Sequence, residues 1–237
     1  NYTADLERYQ QLLAIKLDED TPTRFQYALI DAIANLFSPD AIAKSYYIGF
    51  LLASETENVL IIRGTQTPSE WLLNLQITQI IYRPGTPEMG HVHEGFLDLY
   101  DLVRNDVNTQ FHQIVRQLDW SKPFYIAGHS LGGAFTVFAA LAIAELYPDL
   151  KPNLRMYSFG APRVGDPTFA EYYSRQVPNS YRVVNLTDIT PLMPPSRLGP
   201  DHYVHVGQEW TFAIQTGDVS PNHQLAAYIT ATTQGME

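Results

Sequence analysis

The sequence predicts an α/β protein built on a mostly parallel sheet with an antiparallel start, and three observations carry that expectation. β-Branched and aromatic runs alternate with helical patterns through the middle of the chain. Two early apolar runs, YYIGFLLA (46–53) and NVLIIRG (58–64), are joined by the polar SETE, which is a hairpin signal. A glycine-rich turn, AGHSLGGA (127–134), stands between a run that reads as a buried strand and an alanine-rich run that reads as a helix.

Taken in order, Tyr2 to Leu17 places Leu6, Tyr9, Leu12, Leu13 and Ile15 among charged residues, the pattern of an amphipathic helix. A second helical stretch runs from about Thr23 to Phe37 and stops before Ser38-Pro39. After the hairpin, Phe96 to Leu118 reads as a long helix, which Lys122-Pro123 separates from the strand FYIAG. LRMYSFG reads as a strand, PTFAEYYSRQ as a helix and YRVVNL as a strand, while YVHV and WTFAI read as a late hairpin. HQLAAYITATT closes the chain as a helix. No repeat, low-complexity tract or linker interrupts this, so residues 1–237 read as one domain.

Composition excludes several functions. The net charge of −10, with no lysine–arginine cluster, argues against a nucleic-acid partner and against attraction to an anionic membrane. The chain lacks cysteine, which rules out disulfides and thiolate metal sites. The longest apolar run, Ala134 to Leu146, is shorter than the roughly 18 residues of a membrane span. The first residue is Asn1 and no signal pattern follows it, as expected if a leader has been trimmed, and the compartment is left open.

Gly128-x-Ser130-x-Gly132 falls at a strand-to-helix turn, the setting in which a serine is held exposed as a nucleophile. Such a turn is so sharp that the residues two positions away on either side must lack bulk. Gly133 and Ala134 let the helix approach the sheet closely. The competing reading is an ordinary glycine turn whose serine caps the helix. A nucleophilic serine needs a histidine base oriented by a carboxylate, and in this setting acid and then histidine follow it in the chain. Of His202, His205 and His223, the last is favoured, because it lies at the mouth of the terminal helix after a proline loop. His205 reads as a packed strand residue. Asp188 is the favoured acid, at the end of a strand beyond the serine strand and before the proline-rich ITPLMPP; Asp201 and Asp218 are alternatives, and Asp166 reads as a helix cap before Pro167. Two donors must also meet the oxyanion: the backbone N–H of Leu131 and, from the loop after an earlier strand, Thr65.

These blocks together resemble the class 3 lipases, the fungal-lipase-like α/β-hydrolases. IIRGT…W is similar to the family's oxyanion segment, HVHEGF to its His-x-Gly-Phe signature, and AGHSLGGA to its nucleophile elbow. SFGAPRVGDPTFA, VNLTDITPLMPP, YVHVGQEW and HQLAAY follow in family order, from about Tyr46 to Tyr228. The resemblance implies Ser130 as nucleophile, Asp188 as acid, His223 as base, and Thr65 and Leu131 as oxyanion donors, with no metal or cofactor. It places His205 outside the triad and His93 as structural support. His91, His93 and Glu94 are therefore not read as a metal site, no further ligand being evident. Ile62 stands where the family often has an aromatic and Thr190 where valine is usual. The interval from Asp188 to His223 is shorter than in fungal members, so the loop walling the acyl site is expected to be trimmed. The missing cysteines suggest a bacterial-type relative.

The segment after Thr65 matches the family's lid, at about 66–76. Trp71, Leu72 and Leu73 give it an apolar face that could cover the site in water and open on a lipid surface. Periodicity alone fits a permanently packed amphipathic helix equally well; the resemblance favours the lid. Relatives with polar lids that cleave aromatic plant-wall esters fit less well. The expectation is thus a triacylglycerol lipase or lipid esterase. Phospholipase or galactolipase A1 action is the alternative among enzymes, and an inactive lipase-like binding module is the alternative of another class.

Overall fold

The computed structural model describes residues 10–17, 46–64, 77–217 and 219–233. Its strands are β1 (Gln10–Leu17), β2 (Tyr46–Ala53), β3 (Asn58–Ile62), β4 (Gln79–Ile81), β5 (His91–His93), β6 (Phe124–His129), β7 (Leu154–Phe159), β8 (Ser180–Asn185), β9 (Arg197–Leu198), β10 (Asp201–His202) and β11 (Gln208–Phe212). The described α-helices are α1 (Glu94–Val115), α2 (Leu131–Leu146), α3 (Pro167–Gln176), α4 (Val219–His223) and α5 (Leu225–Thr233).

A seven-stranded sheet runs β1-β2-β3-β6-β7-β8-β11. Its first three strands are antiparallel and the rest follow β3 in parallel, as expected for a mostly parallel sheet with an antiparallel start. SETE closes the β2–β3 hairpin, with the Ser54 N–H donating to Glu57 O at 2.9 Å. β4 pairs with β5, and β9 with β10, outside the main sheet.

Burial along β6 alternates strictly. Phe124, Ile126 and Gly128 are buried, and Tyr125, Ala127 and His129 are partly covered on the other face. Helix α2 covers the first face, buried on all sides from Leu131 to Ala144, as a helix without a polar stripe must be. On the second face, α5 packs Tyr228 and Ala231 against Val183 and Phe212. The sheet is thus flanked by helices, the α/β-hydrolase arrangement, with the carboxyl ends of its parallel strands gathered at one edge. None of the described helices is long and apolar enough to cross a membrane.

Three expectations need correction. Gln10–Leu17 is a strand paired with β2 and not the end of a helix, and the earlier part of that stretch lies outside the described residues. YVHV and WTFAI do not form a hairpin: β11 pairs in parallel with β8, and Val204 makes only an isolated bridge to Gly165. The closing helix is two helices broken at Gln224. The stretch 23–37 lies outside the described residues.

Candidate active site

The turn after β6 holds Ser130 at φ 60° and ψ −127°. It is the one non-glycine residue with positive φ among the described residues. Such a conformation costs about 1–3 kcal/mol and persists only where its surroundings over-determine it. Here they do. A Cβ on Gly128 would fall 2.3 Å from Gly132 O, and one on Gly132 would fall 2.3 Å from Ile62 O. Ser130 N–H donates to Phe159 O at 2.9 Å, and Gly133 N–H donates to Ser130 O at 2.9 Å. Neighbouring strands and the new helix therefore pin the serine from both sides.

Asp188 follows β8 and His223 ends α4. His223 Nε2 lies 2.8 Å from Ser130 Oγ, and its Nδ1 lies 2.7 Å from Asp188 Oδ2. The carboxylate is buried and takes two further donors: Thr190 N–H to Oδ1 at 2.8 Å and the Tyr228 hydroxyl to Oδ2 at 2.5 Å. Nδ1–H therefore donates to the carboxylate, which leaves Nε2 free to accept from the serine hydroxyl. Burial, and then the Asp188 charge, pushes the Tyr228 phenol well above its usual range, so it remains a protonated donor.

A network of amides fixes the histidine loop to the acid loop. Asn185, fully buried, donates from Nδ2 to Ile214 O at 2.9 Å and Asn222 O at 3.0 Å, and its Oδ1 accepts from Ile214 N–H at 3.0 Å. Asn222 in turn donates from Nδ2 to Thr187 O at 3.2 Å. From the elbow side, His129 Nε2–H donates to His223 O at 2.7 Å, and the two rings lie 4.7 Å apart. Burial, and then the neighbouring His223, pulls the His129 pKa down to about 4, so this ring is neutral near pH 7.

Of the other candidates, His205 Nε2–H donates to Pro191 O at 2.8 Å; it is hydrogen-bonded, though in no named strand, and burial holds its pKa down at about 3. His202 sits in β10 with its carbonyl accepting from Gln79, and Asp201 lies beside it. Asp166 caps α3 by accepting from Phe169 N–H at 2.7 Å. Asp218 lies outside the described residues. His93 is buried, accepts from Phe96 N–H at 3.3 Å at the start of α1, and stacks on Phe96 at 3.8 Å. His91 instead bonds Asp166 at 3.0 Å, so the two histidines serve separate partners; the described residues hold no three-residue group that could bind a metal. The Thr190 hydroxyl is buried with no partner among the described residues, a cost a valine there would not incur.

Leu131 begins α2, where backbone N–H groups have no intrahelical acceptor. Thr65, Trp71, Leu72 and Leu73 lie outside the described residues. Gly64, immediately before Thr65, lies so close to the elbow that a Cβ there would fall 3.0 Å from Ser130 Cβ. Sequence reading did not single out Gly64, His129, Asn185, Asn222 or Tyr228. The His129 position was accessible, since the period-2 alternation of β6 turns it toward the face that α5 covers. The others act through partners distant in the chain.

The fold is that of the α/β-hydrolases, and its elbow brings a serine, a histidine and a carboxylate into one hydrogen-bonded array. Within that class, the family model "Lipase (class 3)" matches residues 59–198, and the chain belongs to the class 3 lipase family. A lipase of Rhizomucor miehei is 37% identical over 161 residues, covering 66% of this chain and 42% of its own. Phospholipase A1 EG1 of rice (Oryza sativa subsp. indica) is 29% identical over 248 residues, covering 87% of this chain and 57% of its own. A solved triacylglycerol lipase, whose catalytic centre is formed by a serine protease triad, superposes with TM-score 0.61 at 31% identity over 73% of this chain and 63% of its own. The chain spans about half the length of the curated relatives it matches. These relatives are fungal and plant proteins, and none supports the bacterial-type affiliation; cysteine content tracks redox compartment and core size rather than lineage.

Proposed function

We propose that this chain is a serine carboxylester hydrolase acting on lipid esters, with triacylglycerols as its substrate class. The observation that carries the reading is Ser130, strained at a strand-to-helix turn with its Oγ 2.8 Å from a histidine that Asp188 orients. The similarity to a triacylglycerol lipase with a triad centre supports it. Ser130 Oγ attacks the ester carbonyl while His223 Nε2 takes its proton; His223 then protonates the departing alcohol, and water, activated by the same nitrogen, releases the acid. Leu131 N–H donates to the oxyanion, and Thr65, the residue after Gly64 in the chain, supplies the second donor. The domain extends over 1–237, with 66–76 as a lid whose Trp71, Leu72 and Leu73 suit an apolar covering role.

Ser130→Ala should lower ester turnover at least about a thousandfold with thermal unfolding little changed, and should abolish covalent labelling by a fluorophosphonate. Retained turnover would refute the assignment, and absence of labelling in the parent would favour the inactive binding module. Phospholipase A1 action is the second reading, favoured because the rice phospholipase aligns across more of this chain than the Rhizomucor lipase does. A panel of nitrophenyl esters, triolein emulsion and phosphatidylcholine separates the two.

A further inference from the structure

The stretches APRVGD (161–166) and YVHV (203–206) belong to the family blocks of the sequence, yet the triad takes a residue from neither. In the fold they lie side by side, where Val204 N–H donates to Gly165 O at 2.8 Å. Both aim donors at one target, the acid loop beyond Asp188. His205 Nε2–H donates to Pro191 O at 2.8 Å. Arg163 donates from its guanidinium Nη1 to Leu192 O and, at 2.7 Å, to Pro194 O, while its backbone N–H donates to Met193 O at 2.7 Å. Four successive carbonyls, 191 to 194, are thus held by two residues from elsewhere in the chain.

The loop needs donors from outside. Pro191, Pro194 and Pro195 have no N–H, so the segment after Thr190 can satisfy few carbonyls by itself. What it carries is exacting: Asp188 Oδ2 must meet His223 Nδ1, with Oδ1 fixed by Thr190 N–H. The segment bearing Arg163 is itself anchored to the site. A Cβ on Gly160 would fall 3.0 Å from Asp188 Oδ2, and one on Gly133 of α2 would fall 2.6 Å from Ala161 Cβ. Arg163 therefore ties the acid loop to a strand end that already touches both the carboxylate and the elbow helix. Burial, and then the Arg182 and Arg163 charges, keep the His205 ring neutral near pH 7, so its half of the clamp does not titrate there.

We infer that Arg163 and His205 are positioning residues for ester hydrolysis: they grip the acid loop by four successive carbonyls and so keep the Asp188 carboxylate on His223 Nδ1. This rests on the serine-hydrolase reading above. Neither side chain touches the reacting atoms; each acts through the backbone that carries the acid. A carboxylate that drifts from Nδ1 leaves the imidazole without a fixed tautomer or orientation, which slows the chemical step and leaves substrate binding alone.

The test pairs kcat and KM for a soluble nitrophenyl ester with the low-field proton resonance of His223 Nδ1–H, assigned by its loss in His223→Gln. Arg163→Met keeps a long side chain and removes the guanidinium donors. It should lower kcat about tenfold or more with KM within about twofold of the parent, and should weaken the resonance or move it upfield. Arg163→Lys, with one ammonium for two carbonyls, should fall between the two. His205→Leu should lower kcat roughly fivefold, while His205→Gln, which keeps an N–H for Pro191 O, should stay within about twofold of the parent. Three results would overturn the clamp. An unchanged kcat and resonance in Arg163→Met, even with lower thermal stability, would make the contacts structural alone. A raised KM with kcat unchanged would place Arg163 on the substrate side. Equal losses in His205→Leu and His205→Gln would make the hydrogen bond to Pro191 O immaterial. If Arg163→Met does not fold, the two His205 variants decide. A parent that neither labels with a fluorophosphonate nor turns over ester defeats the hydrolase reading, and the resonance in the variants still tests the clamp.

Discussion

The elbow around Ser130 and the platform that holds Asp188 and His223 meet at one oxygen, yet they are built by different means. The elbow is made of backbone: Gly128, Gly132 and the carbonyl of Ile62 leave no volume for any other path, and strand and helix hydrogen bonds pin the turn. The platform is made of side chains: Asn185, Asn222 and Tyr228 tie three loops together across 29 to 40 residues of sequence. Steric exclusion is all-or-none, because backbone atoms cannot rotate out of the way. A hydrogen-bond network is divisible, and each member carries a share that can be removed alone.

The largest effect should come from breaking the elbow. Gly132→Ala would place its Cβ 2.3 Å from Ile62 O and 2.6 Å from Arg63 C, so β3 or α2 must shift. A loss of about 3 kcal/mol or more in stability is expected, together with near-complete loss of ester turnover. Thermal unfolding and turnover of a soluble nitrophenyl ester check this. A stable, active Gly132→Ala protein would show that the turn tolerates other paths.

Breaking the platform should be milder. Asn185→Ala removes the donor to Ile214 O and Asn222 O and the acceptor for Ile214 N–H, leaving buried backbone groups short of partners. About 2–3 kcal/mol of stability should go. The loop before His223 then loses its anchor, so kcat for the soluble ester should fall about tenfold or more while the fold persists. Loss of stability with kcat unchanged would mean that the amide network supports the fold alone and does not place the histidine.

The same contrast explains what the sequence disclosed. Ser130 was legible because its geometry depends on residues two positions away, and Gly-x-Ser-x-Gly records that dependence directly. Asp188 and His223 were legible through chain order and loop chemistry, which brought the reading to two residues that lie within 2.7 Å of each other. The amides were not, since nothing local distinguishes Asn185 at the end of a strand from any other asparagine. β1 was misread for a physical reason: its pairing with β2 is irregular between Gln11 and Leu13 and again between Ile15 and Lys16. The first leaves Leu12 as an extra residue of β1 and breaks its period of two, so that Leu12, Leu13 and Ile15 imitate a helical face; the second leaves Ile48 as the extra residue on β2. The partner of β11 was hidden because adjacency in sequence favoured a hairpin, whereas the open edge of β8 took the strand in parallel.

His129 joins the two regions, and it gives the smallest and most discriminating prediction. It belongs to the elbow strand, but its Nε2–H reaches the carbonyl of His223. Its folded-state pKa of about 4 lies below the ordinary histidine value of 6.5, so between those values the unfolded chain binds more protons. Stability contributed by the neutral ring is therefore fully present above about pH 6.5 and is lost as pH falls toward 4, on the order of 1–2 kcal/mol at pH 5. His129→Gln keeps an amide donor for the His223 carbonyl and removes the titration. The variant should match the parent within about 1 kcal/mol at pH 7 and lose less stability between pH 7 and pH 5, by roughly that same 1–2 kcal/mol. His93 and His205 remain in both proteins, so the difference isolates His129. Denaturant unfolding at the two pH values measures it, and parallel curves would mean that acid acts on the platform through some other group.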